Sequence, residues 1–252
     1  MKKKEVRYFT DFTDDFEESA RQDFVLPEDY RWVRKSLPAR FLSAVIYGLA
    51  LFLSWFYCRL SLHLKVRGRK KLKSASGGVF IFANHTQPVG DVFIPAHAVF
   101  PRRIYVVVSA ANYGIPVIGK ILPYLGALPV ADSLSGIKKL NDAVKTRISE
   151  GRPVVIYPEA HVWKYYTGIR PFPDSSFRFP VKEGVPSFAM TVTYRKSKVF
   201  RKPVTEVFLD GPFSGEGDGI REKTADLCGK VRDAMVERSK NSDFEYVEYR
   251  KK

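Results

Sequence analysis

The sequence predicts an α/β fold, a mixed sheet covered by helices and preceded by a hydrophobic helix. Two observations carry that prediction. Beyond Lys73, short β-branched and aromatic runs alternate with apolar residues at helical spacing, and ahead of them stands one run of eighteen uncharged residues, Phe41 to Cys58. A chain of 252 residues, 45% hydrophobic and 27% charged, has ample material for a core in one domain or two. The same composition excludes disordered, collagen-like and coiled-coil chains.

Taken in order, residues 1–37 read as an arm, 38–61 as a hydrophobic segment that associates with membrane, and 62–252 as the α/β domain. The arm carries eight acids and one base, Arg21, between Asp11 and Asp29. As a helix the Phe41–Cys58 run is about 27 Å long, just short of the roughly 30 Å hydrocarbon core of a bilayer. Bases flank it on both sides: Arg31, Arg34, Lys35 and Arg40 before it, then Arg59, Lys65, Arg67, Arg69, Lys70, Lys71 and Lys73 with no acid among them. A spanning helix carries its bases mainly on one side. The pattern therefore favours a helix or bent hairpin dipping into one leaflet, with Tyr47, Trp55 and Tyr57 at headgroup level and the basic flanks on anionic lipid. A buried core helix is the alternative, and the run starts too far along for a cleaved signal peptide.

Five strands are expected in the α/β domain: Gly78 to Ala83, Ile104 to Val108, Pro153 to Tyr157, Ser187 to Tyr194 and Val204 to Leu209. Leu134, Ile137, Leu140, Val144 and Ile148 follow helical spacing, with Ser133 placed to cap the start and Gly151 just past the end. Ile220, Leu227, Val231 and Met235 repeat that spacing near the C-terminus.

Charge narrows the partner. Forty-two Lys and Arg against 27 Asp and Glu give a formal charge of +15, which calls for an anionic surface. Nucleic acid is the weaker choice, because no zinc-finger spacing, arginine-glycine repeat or ribonucleoprotein aromatic motif accompanies the bases. Two cysteines, Cys58 and Cys228, are too few and too distant for a disulfide framework or a thiolate metal site, and a reducing compartment is the simpler reading. Together these point to a membrane-associated protein on the cytoplasmic face.

Candidate chemistry sits where strands end. The first strand runs into Asn84-His85-Thr86-Gln87-Pro88-Val89-Gly90-Asp91, where Asp91 can hold one imidazole nitrogen of His85 so that the other accepts a proton from an attacking hydroxyl. A surface histidine beside a helix-capping carboxylate is the alternative for such spacing. The third strand ends in Tyr157-Pro158-Glu159-Ala160-His161. A metal site at His85, Asp91 and His97 has little support, and His63 and His97 read as structural. Gly215-Glu216-Gly217-Asp218-Gly219 lacks the Lys-Ser/Thr of a P-loop and reads as a surface turn. No G-x-S-x-G elbow occurs.

Over residues 40 to 215 the chain resembles the glycerolipid acyltransferase family that includes 1-acylglycerol-3-phosphate acyltransferases. In family order come a hydrophobic helix, a basic strand with Gly68, Ala83-Asn84-His85 with Asp91, Gly126-Ala127-Leu128-Pro129-Val130, Tyr157-Pro158-Glu159, Arg170-Pro171-Phe172, and Gly184-Val185-Pro186. The resemblance implies an O-acyltransferase of phospholipid biosynthesis that moves a fatty acyl group from an acyl thioester to a lysophospholipid hydroxyl, most simply that of 1-acylglycerol-3-phosphate. It implies His85 as general base and Asp91 as its orienting group, with Asn84, Thr86, Gln87, Pro158, Glu159, His161 and Arg170 binding substrate. It implies no metal and no cofactor beyond acyl-CoA or acyl carrier protein as co-substrate.

The departures are specific. Five residues rather than four separate His85 from Asp91, so either the loop bulges at Pro88-Val89-Gly90 or Asp91 is not the orienting group. Ala131-Asp132 stands where an arginine is usual, Tyr157-Pro158-Glu159-Ala160-His161-Val162 keeps the family's Pro and Glu but loses the glycine and arginine of its third block, and Pro173-Asp174 replaces a lysine and glycine. His161 and Arg170, ahead of Lys164, Arg102, Arg103 and Lys120, are the candidates for a substitute anion pocket. Backbone amides near Gly126 to Pro129, or those of the His85 loop, are the candidates for holding the oxyanion. Two alternatives follow: the same chemistry on a lysolipid without a phosphate, or a non-catalytic membrane-associated member of the fold.

Overall fold

A computed structural model describes residues 5–17, 23–131, 133–200 and 202–252. Seven strands make the central sheet: β2 (Lys65–Arg67), β3 (Val79–Ala83), β4 (Tyr105–Val108), β5 (Ala127–Pro129), β6 (Pro153–Ile156), β7 (Ser187–Arg195) and β8 (Val204–Phe213). Their order is β2-β8-β7-β3-β6-β4-β5, parallel throughout except for the antiparallel β7/β8 hairpin. The sheet is mixed, as expected, and all five expected strands are in it.

The apolar sequence of β3, Val-Phe-Ile-Phe-Ala, follows from its place near the middle, because a parallel strand is covered on both faces. Val79, Ile81 and Ala83 face one core layer and Phe80 and Phe82 the other. The first layer takes Ile94 and Ala98 of α3 (Gly90–Val99), together with Cys58 and Leu62. The second takes Leu140, Val144 and Ile148 of α5 (Leu134–Ser149) and Leu227, Val231 and Met235 of α7 (Ile220–Ser239). Ser133 caps α5 as its position suggests, its Oγ accepting from Gly136 N at 3.1 Å. Three short helices, α2 (Arg69–Lys73), α4 (Ile118–Leu125) and α6 (Arg178–Glu183), complete the set.

The hydrophobic segment forms one helix, α1 (Leu37–Phe56), continued by a π turn over Tyr57–Ser61. It is neither a bent hairpin nor a core helix, since Ser54 is the only buried residue of α1. One side lies along the domain, where Ser43 Oγ donates to Tyr124 O at 2.8 Å and Ser54 Oγ is 2.9 Å from His97 Nε2. Tyr47 also faces inward, its hydroxyl accepting from Ile104 N at 3.3 Å, and Tyr57 packs on the core. Of the three aromatic residues expected at headgroup level, only Trp55 points outward. The outer side exposes Leu37, Phe41, Leu42, Val45, Leu49, Phe52, Leu53, Trp55 and Phe56. Covering half of each is worth roughly 1 kcal/mol apiece, which makes this the most unfavourable surface to leave in water.

The arm belongs to the fold through a separate two-stranded sheet, in which β1 (Glu5–Phe9) pairs in parallel with β9 (Val247–Lys251). Neither strand is legible in the sequence. Both are charged, and each buries only one residue, Phe9 and Val247, so neither shows a strand pattern of its own.

Gly68 links β2 to α2 at φ +83°, and a Cβ there would lie 2.2 Å from the Leu209 carbonyl oxygen of β8. Gly68→Ala is expected to lower stability by about 3 kcal/mol in denaturant unfolding; an unchanged midpoint would contradict the close approach.

Candidate active site

The C-terminal end of β3 delivers the loop Asn84 to Gly90, and side chains of that loop lock it to β7. Asn84 Nδ2 donates to Val192 O at 3.0 Å while Asn84 Oδ1 accepts from Val192 N at 2.8 Å. Thr86 Oγ1 lies 2.7 Å from the Tyr194 hydroxyl, to which Gln87 Nε2 donates at 3.0 Å. Asn84, Thr86 and Gln87 are each at most 2% exposed. They build the floor beneath His85 and present no surface to a ligand.

His85 is the loop residue left partly open, its side chain 20% exposed, and its Nδ1 lies 2.7 Å from Asp91 Oδ2. The extra residue between them is absorbed where Asp91 N donates to Gln87 O at 3.0 Å, so the longer loop still closes and Asp91 is the partner. Asp91 Oδ2 also accepts from Gln87 N at 2.8 Å, which leaves it only the acceptor role toward the imidazole. That assigns the proton of the neutral ring to Nδ1 and leaves Nε2 bare. Asp91 occupies the first turn of α3, where free N–H groups attract an anion. Tyr157, just past β6, stacks on the His85 ring with centroids 4.3 Å apart, and its hydroxyl donates to Asp91 O at 2.6 Å. From sequence alone Tyr157 has no assigned role. Its signal was an aromatic residue ending the strand next to β3.

Beneath this lies a buried ion pair. Glu159 Oε2 accepts from Arg170 Nη2 at 3.1 Å and from His85 N at 3.1 Å, and Oε1 accepts from Arg170 N at 3.0 Å. Burial pushes the Glu159 carboxyl above its ordinary value, opposed by the Arg170 charge and by the two N–H groups. Arg170 is fully buried; it also donates to Phe12 O at 3.1 Å and to His161 O, with its guanidinium over the Trp163 ring. Trp163 in turn donates its N–H to His85 O at 3.0 Å and its indole N–H to Asp14 O at 2.8 Å. Pro158 is buried, and Ala160, which stands where the family has glycine, keeps a left-handed φ of +62°. His161 is half exposed and paired through Nδ1 with Asp15 Oδ2 at 3.1 Å.

The other candidates lie elsewhere. Arg102 and Arg103 precede β4, at the end of the parallel strands opposite His85; Arg102 binds the carbonyls of Gly77 and Gly151, and Arg103 binds Ser43 and Tyr124 beside α1. Lys120 is exposed on α4. Lys164 lends its carbonyl to the Tyr249 hydroxyl at 3.0 Å. Gly126 ends α4 and Ala127 to Pro129 form β5, three strands from β3. At about 4.8 Å per strand that is roughly 14 Å, too far for their amides to reach an atom held at His85. Asp132 lies outside the described residues. His97 sits against Ser54 and His63 stacks on Phe200, so both take part in packing contacts.

The Acyltransferase family profile matches residues 63–193, just over half of the chain. The chain belongs to the acyltransferase family. The fold of this acyltransferase is similar to the crystal structure of the 1-acyl-sn-glycerophosphate (LPA) acyltransferase PlsC from Thermotoga maritima, at 16% identity and a TM-score of 0.53 over 81% of this chain and 94% of that one. No curated protein matches. The matched segment holds His85, Asp91, Glu159 and Arg170 together.

Glu159→Gln in the acyltransferase would leave the Arg170 guanidinium buried without its counter-charge. Chemical denaturation is expected to show a loss of about 3–5 kcal/mol, whereas an unchanged midpoint would show that the pair does not hold the loop.

Proposed function

We propose that this acyltransferase moves a fatty acyl group from an acyl thioester, carried on coenzyme A or acyl carrier protein, to the hydroxyl of a lysophospholipid at a membrane surface. The observation that carries the reading is the His85–Asp91 pair at 2.7 Å, with the imidazole partly open at the end of β3. His85 Nε2 takes the hydroxyl proton as that oxygen attacks the thioester carbonyl. Asp91 steadies the imidazolium so formed. When the tetrahedral intermediate collapses, the carbon–sulfur bond breaks, and the departing thiolate takes the proton back from Nε2. Thiolate leaves more readily than alkoxide because a thiol is the stronger acid, so the transfer needs no acyl-enzyme. Of the two sets of candidate oxyanion donors the β5 amides are out of reach, which leaves amides of the His85 loop other than those of His85 and Gln87, already taken by Glu159 and Asp91. The exposed apolar side of α1 supports the helix lying in one leaflet, parallel to the membrane plane; that this leaflet faces the cytoplasm is part of the proposal.

The acceptor has two readings. 1-Acylglycerol-3-phosphate is favoured by the fold shared with PlsC. A lysolipid without a terminal phosphate is favoured by a specific observation: Arg170 is fully buried and bonded to Glu159, and His161 is paired with Asp15. Neither is a ready phosphate clamp.

His85→Ala is expected to lower kcat by at least about 10³-fold with lysophosphatidate and acyl-CoA or acyl carrier protein, and Asp91→Asn by a comparable factor. Wild-type turnover in His85→Ala would reject the base. Lipid binding without transfer to any acceptor by the wild type would assign the chain to the non-catalytic members of the fold. Comparing acceptors with and without a terminal phosphate decides between the two readings.

A further inference from the structure

The hairpin joining β7 to β8 serves neither the site nor the core. Between Arg195 and Val204 the sequence has four bases, Lys196, Lys198, Arg201 and Lys202, and no acid, around the pair Val199–Phe200. Val199 is 83% exposed and Phe200 48%. The tip is already shaped, since Ser197 Oγ accepts from Val199 N at 3.1 Å and from Phe200 N at 2.8 Å. Exposed apolar residues held rigidly at a tip lose little entropy on burial.

The tip is also fixed in place. Phe200 stacks on His63 with ring centroids 3.5 Å apart, and His63 holds a left-handed φ of +48°. Such a backbone is unfavourable for histidine and persists here with the ring against Phe200. His63 follows the π turn that ends α1, where Trp55, Phe56 and Leu60 are exposed. Leu62 sits beside Gly90 of the catalytic loop, its Cδ1 3.2 Å from where a Cβ on Gly90 would be. Hairpin tip, end of α1 and catalytic loop therefore share one rim.

Charge identifies the partner. Lys65, Lys196, Lys198 and Lys202 are exposed, and among the described residues no ion pair engages their ammonium groups, although the backbone N–H of Lys196 donates to Asp243 Oδ1 at 2.6 Å. The acids nearby are engaged, Glu206 by Arg67 and Arg195 and Asp243 by Arg195. An apolar tip ringed by uncompensated lysines and continuous with the exposed side of α1 fits a bilayer bearing anionic headgroups.

We infer that the β7–β8 hairpin is a second membrane contact, which inserts Val199 and Phe200 among lipids and sets Lys196, Lys198 and Lys202 against anionic headgroups beside the catalytic loop. The inference rests on the reading of α1 as a helix lying in the membrane. Two contacts, one at each side of the rim, fix the orientation of the site as well as its attachment.

The test uses the full chain with two vesicle types, phosphatidylcholine alone and phosphatidylcholine with an equal part of phosphatidylglycerol. Lys196→Gln/Lys198→Gln/Lys202→Gln is expected to bind the mixed vesicles roughly 100-fold more weakly, at about fivefold per lysine, while keeping wild-type binding to phosphatidylcholine alone. Val199→Ser/Phe200→Ser is expected to weaken binding to both. If the wild type binds vesicles and both variants match it, this inference is overturned and α1 remains as the contact. If the wild type binds neither vesicle, the membrane reading of α1 falls and this inference with it. If the lysine variant loses turnover with acyl carrier protein in detergent micelles but binds vesicles normally, the hairpin docks an acidic carrier instead, and the lipid assignment is overturned.

Discussion

The buried pair of Glu159 and Arg170 is the constraint on which the site depends. Ions buried this deeply are costly unless hydrogen bonds compensate them, and here, although Arg170 Nε has no partner among the described residues, the rest of the pair draws on the His85 amide, the His161 carbonyl and the Phe12 carbonyl of the arm. The carboxylate and the two terminal guanidinium nitrogens thus tie the backbone of the His85 loop to the loop after β6. Asn84 ties the same loop to β7 from the other side. The imidazole is held between Asp91 and Tyr157 within that surround, which is the arrangement a positioned base requires.

A second constraint is geometric. α1 touches the domain along its length, near Tyr124 at one end and His97 at the other, and its π turn carries the chain to Leu62 beside Gly90. The N-terminal half of α1 thus packs near Arg103, at the end of the parallel strands opposite His85, and only the π turn at its C-terminal end approaches the His85 loop.

Much of this was legible in the sequence, for identifiable reasons. β3 and α5 announce themselves because each is buried in a regular pattern, all positions for β3 and one helical stripe for α5. The His85–Asp91 pairing was legible from residue type, while its spacing left it open; only the turn closed by Asp91 N and Gln87 O settles the extra residue. The substrate-contact candidates Asn84, Thr86 and Gln87 sit beside the base in sequence and Arg170 lies in the loop after β6, but their side chains turn inward to β7 and Glu159. Short polar side chains near a catalytic residue hold loops as readily as they hold ligands, and only coordinates tell the two apart. The arm was opaque because its role lies in partners such as Trp163 and β9, which lie some 150 to 240 positions further along the chain.

The central claim is that Asp91 fixes the proton of the neutral His85 ring on Nδ1 and leaves Nε2 as the acceptor. Nitrogen NMR of histidine-labelled protein reads this directly, with the His85 signals assigned by their loss in His85→Gln. The account calls for a protonated Nδ1 and a bare Nε2 in the wild type, and for that preference to vanish in Asp91→Asn. A neutral ring protonated on Nε2 in the wild type would contradict it.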